Sequence, residues 1–198
     1  MKVLQVNAVY EILSTGRNVK ETHEYLLRHD VESYVACPVL SKIESHFFKI
    51  GNSIDHKLHG LNSRVFGLQG YFSKLATIKL TKYIDHIQPD IVVLHNLHSN
   101  YIHYLNLISF LAKRGIPVVF VLHDCWFFTG KCVNYSEESC YKWKDECGQC
   151  PALNKGNPSW FFDRSKKILK DKKKSYYLLK RYGVIGVSEW VTRDARIS

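Results

Sequence analysis

Apolar positions along this chain change period repeatedly, and the changes predict strands and helices in alternation. Lys2–Val6 reads as a strand, residues 16–28 carry helical spacing, and Glu32–Cys37 returns to strand. A less regular stretch runs on to Gly70. Beyond it the pattern sharpens into a helix over 71–87 that ends before Pro89, then a strand at Ile91–Leu94. Ile102, Leu105, Ile108 and Leu111 recur at helical spacing until Gly115 and Pro117 break the chain. Val118–Leu122 is the continuous apolar run of a central parallel strand. A long irregular loop follows, then a basic helix over 163–181, a short strand over 184–187 and one more helix capped by Ser188.

Such βαβ alternation implies the α/β class: a Rossmann-like, mostly parallel sheet with helices on both faces, here carrying a cysteine-rich loop as an insertion. With 198 residues, 45% of them hydrophobic, the chain can bury one sizeable core, so a single domain over 1–198 is expected. The opening MKVLQVNAVY lacks the apolar stretch of a secretory signal, and no apolar run approaches the roughly 20 residues that span a bilayer. A cytoplasmic protein, soluble or peripheral at a membrane face, is expected. The chain stops about three turns into its last predicted helix, which suggests a fragment.

Charge changes the picture at one place. The net charge is +10, and much of it lies in DRSKKILKDKKKSYYLLKR over 163–181. If Asp163 caps this helix, Ile168, Leu169, Tyr176, Leu178 and Leu179 supply its packed side while lysines cover the rest. A solvated lysine face and an anionic membrane surface both account for this charge. No nucleic-acid partner is expected, because no nucleic-acid-binding motif accompanies it.

Three strand ends carry polar clusters that should converge on one edge of the sheet. The first runs from Asn7 to Ser14, Thr15, Gly16 and Arg17, where the start of a helix offers backbone N–H groups to a phosphate or another anion. Glu11 and Leu13 occupy the turn, so this is not GxGxxG and a dinucleotide is not expected; an ordinary βα turn with a capping serine is the plain alternative. The second cluster is His95, Asn96, Leu97 and His98, whose histidines are expected to brace loops. The third is His123 with Asp124, followed by Trp126. His123 is the leading candidate for chemistry, and Asp124 is either its orienting partner or a base.

The cysteines are Cys37, Cys125, Cys132, Cys140, Cys147 and Cys150, the last four spaced C-x7-C-x6-C-x2-C before Pro151. That set admits a structural zinc ion that would fold a segment lacking its own core, with disulfides or unligated thiols as alternatives. A thioredoxin-like role is not expected, because Cys147 and Cys150 do not open a helix after the first strand.

STGR, LHNLH, the segment VLHDCWFFTGKC…C…W…CGQCP, and FFDRSKK with VSEW together resemble the amino-terminal domain of bacterial family 4 glycosyltransferases of the GT-B fold. The resemblance covers nearly the whole chain. Its most specific portion, 122–151, is similar to the subgroup that builds capsular, exopolysaccharide or lipopolysaccharide glycans. It implies a retaining, hexosyltransferase-type enzyme that takes a nucleotide-sugar donor and a glycan or lipid-linked acceptor, with no cofactor required for catalysis. It further implies two facing Rossmann-like domains, of which 1–198 would be the acceptor-side one. The donor-side domain is absent, so this chain alone is expected to be inactive. By the same resemblance His123 would hydrogen-bond the transferred sugar, with Asp124 as its neighbour or an acceptor contact. Ser14, Thr15, Gly16, Arg17, Asn96, His98 and Trp126 would hold donor or acceptor, and the basic helix would attach to the inner membrane face. The alternative is a non-catalytic, zinc-stabilised module or truncated relic that binds glycan or anionic lipid. A hydrolase using His123 and Asp124 lacks a serine elbow such as GxSxG.

Overall fold

The computed structural model describes residues 1–40 and 45–198. Its framework is a six-stranded sheet of β1 (Lys2–Val6), β2 (Glu32–Cys37), β3 (Phe47–Lys49), β4 (Ile91–Leu94), β5 (Val118–Leu122) and β6 (Tyr182–Gly186). The spatial order is β3-β2-β1-β4-β5-β6, and all five pairings are parallel. Parallel strands need crossover connections, and helices run in most of them: α1 (Leu13–Arg28) between β1 and β2, α2 (Ser53–Phe66) and α3 (Lys74–Ile87) between β3 and β4, α4 (Tyr104–Arg114) between β4 and β5, and α5 (Ser165–Tyr176) between β5 and β6, with α6 (Glu189–Arg196) following the last strand.

Burial of both sheet faces explains why the inner strands are so apolar. The main core joins Leu4, Val6, Val92, Leu94, Phe120 and Leu122 to Leu80 and Ile84 of α3 and Leu107, Ile108 and Leu111 of α4. A smaller cluster of Val19, Val35 and Cys37 packs α1 onto the sheet. The expected α/β, Rossmann-like architecture is therefore the observed one, and β1, β2, β4 and β5 fall where the apolar pattern places them.

Several expectations need correction. The stretch read as irregular up to Gly70 contains β3 and the whole of α2; the part of it at 41–44 lies outside the described residues. A three-residue strand is too short to show a period, and α2 turns small and polar residues inward, so its pattern is not that of a core-facing helix. The helix read from 16 begins at Leu13, and the one read from 71 begins at Lys74. The basic helix stops at Tyr176, which leaves Leu178 54% exposed rather than on a packed side. Its N-cap position is Arg164, although Asp163 Oδ1 still accepts the Ser165 N–H at 2.9 Å. Its lysines do not all cover the outside: Lys172 is fully buried. The last strand starts earlier than expected, at Tyr182, and Ser188 caps α6 by accepting the Val191 N–H.

Candidate functional site

Because the sheet order reverses between β1 and β4, the loops leaving these strands diverge and open a crevice beyond their carboxyl ends. The adjacency β1, β4, β5 brings Gln5, His95 and His123 side by side, three residues far apart in the chain. Gln5 Nε2 donates to the Val19 carbonyl of α1 at 3.2 Å, which leaves Oε1 to accept from His95 Nε2 at 3.3 Å. With its proton on Nε2, His95 presents Nδ1 as an acceptor. His123 Nε2 stands 2.9 Å from that atom, so it must donate. The two rings are stacked 5.2 Å apart with 24° between their planes. Burial pushes the His95 imidazole down to about 3, with His123 nearby adding to the effect. Burial also lowers His123, while Asp124 partly restores it. Both rings are thus neutral near pH 7, and His123 keeps Nδ1 for a hydroxyl donor.

His98 and Asp124 form a second unit. His98 Nε2 lies 2.8 Å from Asp124 Oδ2, and Asp124 Oδ1 accepts the Trp126 N–H at 2.8 Å. The Trp126 indole N–H donates to Gln69 Oε1, and Gln69 Nε2 donates back to the His98 carbonyl, each at 2.8 Å. This closed circuit fixes the His98 ring. Asp124 therefore orients His98 and the loop, not His123, whose partner is His95. Each Asp124 oxygen has one partner, His98 on Oδ2 and the Trp126 N–H on Oδ1.

His98, His123 and Asp124 line one open cleft of about 560 Å³ with Val133, Asn134, Ser136 and Trp190. The last four were not anticipated from sequence; they come from the cysteine-rich loop and α6, and only the folded loop brings them here. Trp126, expected to touch ligand, is 1% exposed and forms the floor beneath His98. Asn96 is anchored through its backbone N–H, which Asn7 Oδ1 accepts at 3.2 Å.

The cluster at residues 14–17 sits on the first turn of α1. Ile12, not a serine, holds the N-cap position and makes no side-chain cap bond, and no acidic residue lies in the first turn. Ser14 and Arg17 are exposed, while Gly16 is buried, and a Cβ there would stand 3.1 Å from Val9 Cγ2 and 3.2 Å from Glu11 N. The turn thus stays tight, and as at any helix start its first N–H groups have no partner within the helix. Its link to the histidines runs through Gln5 and Val19.

Cys132, Cys140, Cys147 and Cys150 all border one small cavity beneath the loop, but the expected zinc cluster is not formed. Among the described residues no three His, Cys, Asp or Glu groups stand together to hold a metal ion. Three of the thiols have other partners: Cys132 donates a hydrogen bond to Cys150, Cys147 accepts from the Gly130 backbone, and Cys150 accepts from the Ala152 backbone. Nor does the segment lack a core, since Phe128, Tyr135 and Trp143 are buried within it and Lys131 Nζ ties it to the Ala152 and Leu153 carbonyls.

The sheet order and the crevice at its reversal define a doubly wound α/β domain, a fold in which ligands bind at the switch point. The family can also be given. Residues 15–196 match the sequence profile of Glycosyltransferase Family 4, and the chain belongs to that family. It is similar to the putative colanic acid biosynthesis glycosyl transferase WcaC of Escherichia coli K12, at 29% identity over 93 residues, which cover 44% of this chain and 22% of that protein. The matched part is thus less than a quarter of the relative's length. A crystal structure of glycosyltransferase VinC in complex with dTDP aligns with a TM-score of 0.39 and 15% identity over 61% of this chain and 34% of that one. No helix among the described residues is long and apolar enough to cross a membrane.

Proposed function

We propose that the chain is the acceptor-side domain, 1–198, of a retaining glycosyltransferase that moves a hexose from a nucleotide sugar to a glycan or lipid-linked acceptor in cell-surface polysaccharide synthesis. Family membership supports the reaction class. The observation that carries the site is the cleft in which the His95–His123 pair and the His98–Asp124 pair stand side by side.

In the transfer the acceptor hydroxyl oxygen bonds to the anomeric carbon as the bond from that carbon to the donor phosphate breaks. The hydroxyl proton passes to a phosphate oxygen of the departing nucleoside diphosphate on the same face. No protein nucleophile and no metal take part in this scheme. The chain's task is positioning. His123, neutral and held by His95, accepts a hydrogen bond from a hydroxyl of the transferred sugar through Nδ1. His98, braced by Asp124, orients the acceptor, and the open first turn of α1 meets phosphate or acceptor through its N–H groups. The basic segment around α5 suits the inner face of a membrane that carries lipid-linked acceptors.

The test is transfer from a panel of nucleotide sugars by this chain and by a longer polypeptide that continues past Ser198. Turnover that falls about 100-fold in His123→Ala supports the reading. Binding of glycan with no transfer from any donor by either polypeptide would replace it with a non-catalytic binding module.

A further inference from the structure

The inward side of α2 is small and polar because it walls a pocket. His59, Gly60 and Ser63 are buried, while an apolar stripe of Ile54, Leu58 and Leu61 points to solvent. Ser63, Arg64 and Gly67 stand three, four and seven residues from Gly60, so the four share one side of the helix end. Across from them the Trp160 N–H donates to the Arg64 carbonyl at 2.7 Å, which seats the 159–162 turn on α2, and the Ser159 hydroxyl donates to the Phe162 carbonyl at 2.6 Å. The space between, closed by Gln69, Asn100 and Lys131, is about 40 Å³. At roughly 10–15 Å³ for each water-sized group, that is room for a small oxyanion and too little for a sugar ring.

The pocket gathers side-chain donors. A Cβ on Gly60 would stand 2.9 Å from Arg64 Nη1 and 3.6 Å from Asn100 Nδ2, so the bare glycine makes room for the guanidinium and both nitrogens meet over one point. Among the described residues neither of these two half-buried side chains has a hydrogen-bond or ion-pair partner. Ser63, 7% exposed, borders the same space, and its hydroxyl has no partner either. Lys131, 6% exposed, directs two ammonium N–H groups to the Ala152 and Leu153 carbonyls and keeps a third. Burial pushes this amine down, and an anion beside it would act against the shift.

No carboxylate lines the pocket. Asp163 acts on Lys131, yet its oxygens already accept from the N–H groups of Cys150 and Ser165. Two cations, an amide and an unpartnered buried hydroxyl around a space of this size match a tetrahedral oxyanion. A guanidinium presents paired N–H groups that fit phosphate oxygens, and such charge-assisted bonds are about twice as strong as neutral ones.

We propose that the pocket between α2 and the 156–159 segment binds a phosphate group through Arg64, Asn100 and Ser63, with Lys131 adding charge. The site is separate from the histidine cleft but touches its support. Asn100 is two residues past His98, and Gln69 Nε2, on the pocket wall, donates to the His98 carbonyl at 2.8 Å. A bound ion therefore braces the loop that carries His98. The inference does not rest on glycosyl transfer, since ion binding needs neither donor nor turnover.

The experiment is calorimetric titration of the chain with inorganic phosphate at pH 7.5 in chloride buffer, where one saturable site is expected. Affinity should fall about tenfold or more in Arg64→Gln and several-fold in Asn100→Gly, whose glycine suits the φ of 58° at that position. Lys57→Gln removes the same charge from an exposed position of α2 and should bind as the wild type does. Without phosphate the thermal midpoint of Arg64→Gln should match the wild type, because the guanidinium has no partner to lose. Phosphate should raise the wild-type midpoint and leave that of the variant unmoved. Glucose 1-phosphate, titrated in parallel, separates the sources: binding at least as tight as that of the inorganic ion marks the phosphate as the end of a larger ligand, and binding of the ion alone marks free phosphate. Absence of saturable binding, unchanged affinity in both Arg64→Gln and Asn100→Gly, or an equal loss in Lys57→Gln overturns the proposal.

Discussion

Lys172 reaches from the middle of α5 to the floor of the cleft, where its Nζ lies 3.4 Å from the centroid of the Trp126 indole ring. The same nitrogen donates to the carbonyls of Trp126 and Thr129, the latter at 3.0 Å. Burial pushes this amine well below the ordinary lysine value, with Asp124 acting against the shift. Two N–H groups suffice for the two carbonyls, so the bonds survive loss of the charge. Lys172 thus pins the turn that sets Asp124 and His98. Replacing it by methionine fills the space but strands two buried carbonyls, each worth about 1–3 kcal/mol. Lys172→Met should therefore lose about 2–5 kcal/mol in urea unfolding. A loss under about 0.5 kcal/mol would show that the carbonyls find other partners.

Stability should also fall on mild acidification. Burial pushes His59 and His95 down to about 3, and it lowers His103 and His123 as well. Above the ordinary histidine value of about 6.5 these rings are neutral in both the folded and the unfolded chain, and pH has no leverage through them. Below it the unfolded chain takes up protons that the folded chain refuses, until pH approaches the folded values. Unfolding free energy should drop by about 1.4 kcal/mol per pH unit for each of His59 and His95 between pH 6.5 and 4, with His103 and His123 adding in the same direction. Urea midpoints measured at pH 7.5, 6 and 5 check this, and a flat profile would contradict the burial of these imidazoles.

Much of the framework was legible because inner parallel strands must be apolar on both faces: Ile91–Leu94 and Val118–Leu122 admit little else. Helix α2 was not, since its apolar stripe serves the outside and a period alone does not say which side is core. The pairing of His123 with His95 rather than Asp124 follows from the strand order β1-β4-β5, which is a property of the whole sheet. Lys172, inside the run KDKKK, looks like one more solvated lysine until Trp126 covers it. The zinc expectation rested on cysteine spacing, which says nothing of Phe128, Tyr135 and Trp143 closing over the same loop.

Two glycines at helix ends separate backbone strain from collision. Gly115 follows α4 with φ of 64°, and a Cβ there would meet nothing within 4 Å. Gly67 follows α2 with φ of 66°, but a Cβ would strike the Phe162 carbonyl and stand 2.6 Å from Ser159 Oγ. Gly115→Ala should lose about 1 kcal/mol from the left-handed conformation alone. Gly67→Ala should lose at least about 3 kcal/mol, because the turn seated on α2 must move as well. Equal losses in thermal unfolding would mean that the turn is not seated as described.

Cys150 should be the most reactive thiol of the chain at neutral pH. The Cys132 thiol donates to it, the Ala152 N–H and the nearby Lys131 ammonium add to the effect, and together they hold its proton affinity down despite partial burial. Cys132, as the donor of that pair, is pushed up, and burial pushes Cys37 and Cys125 up to about 12. The thiolate is the nucleophile, so reactivity follows these shifts together with access. Iodoacetamide at pH 7, followed by peptide mass spectrometry, should label Cys150 well ahead of Cys37 and Cys125. Cys132→Ala removes the donor and should slow Cys150 several-fold, although the smaller side chain opens the site to reagent. Faster labelling in that variant would mean that access, not the hydrogen bond, governs Cys150.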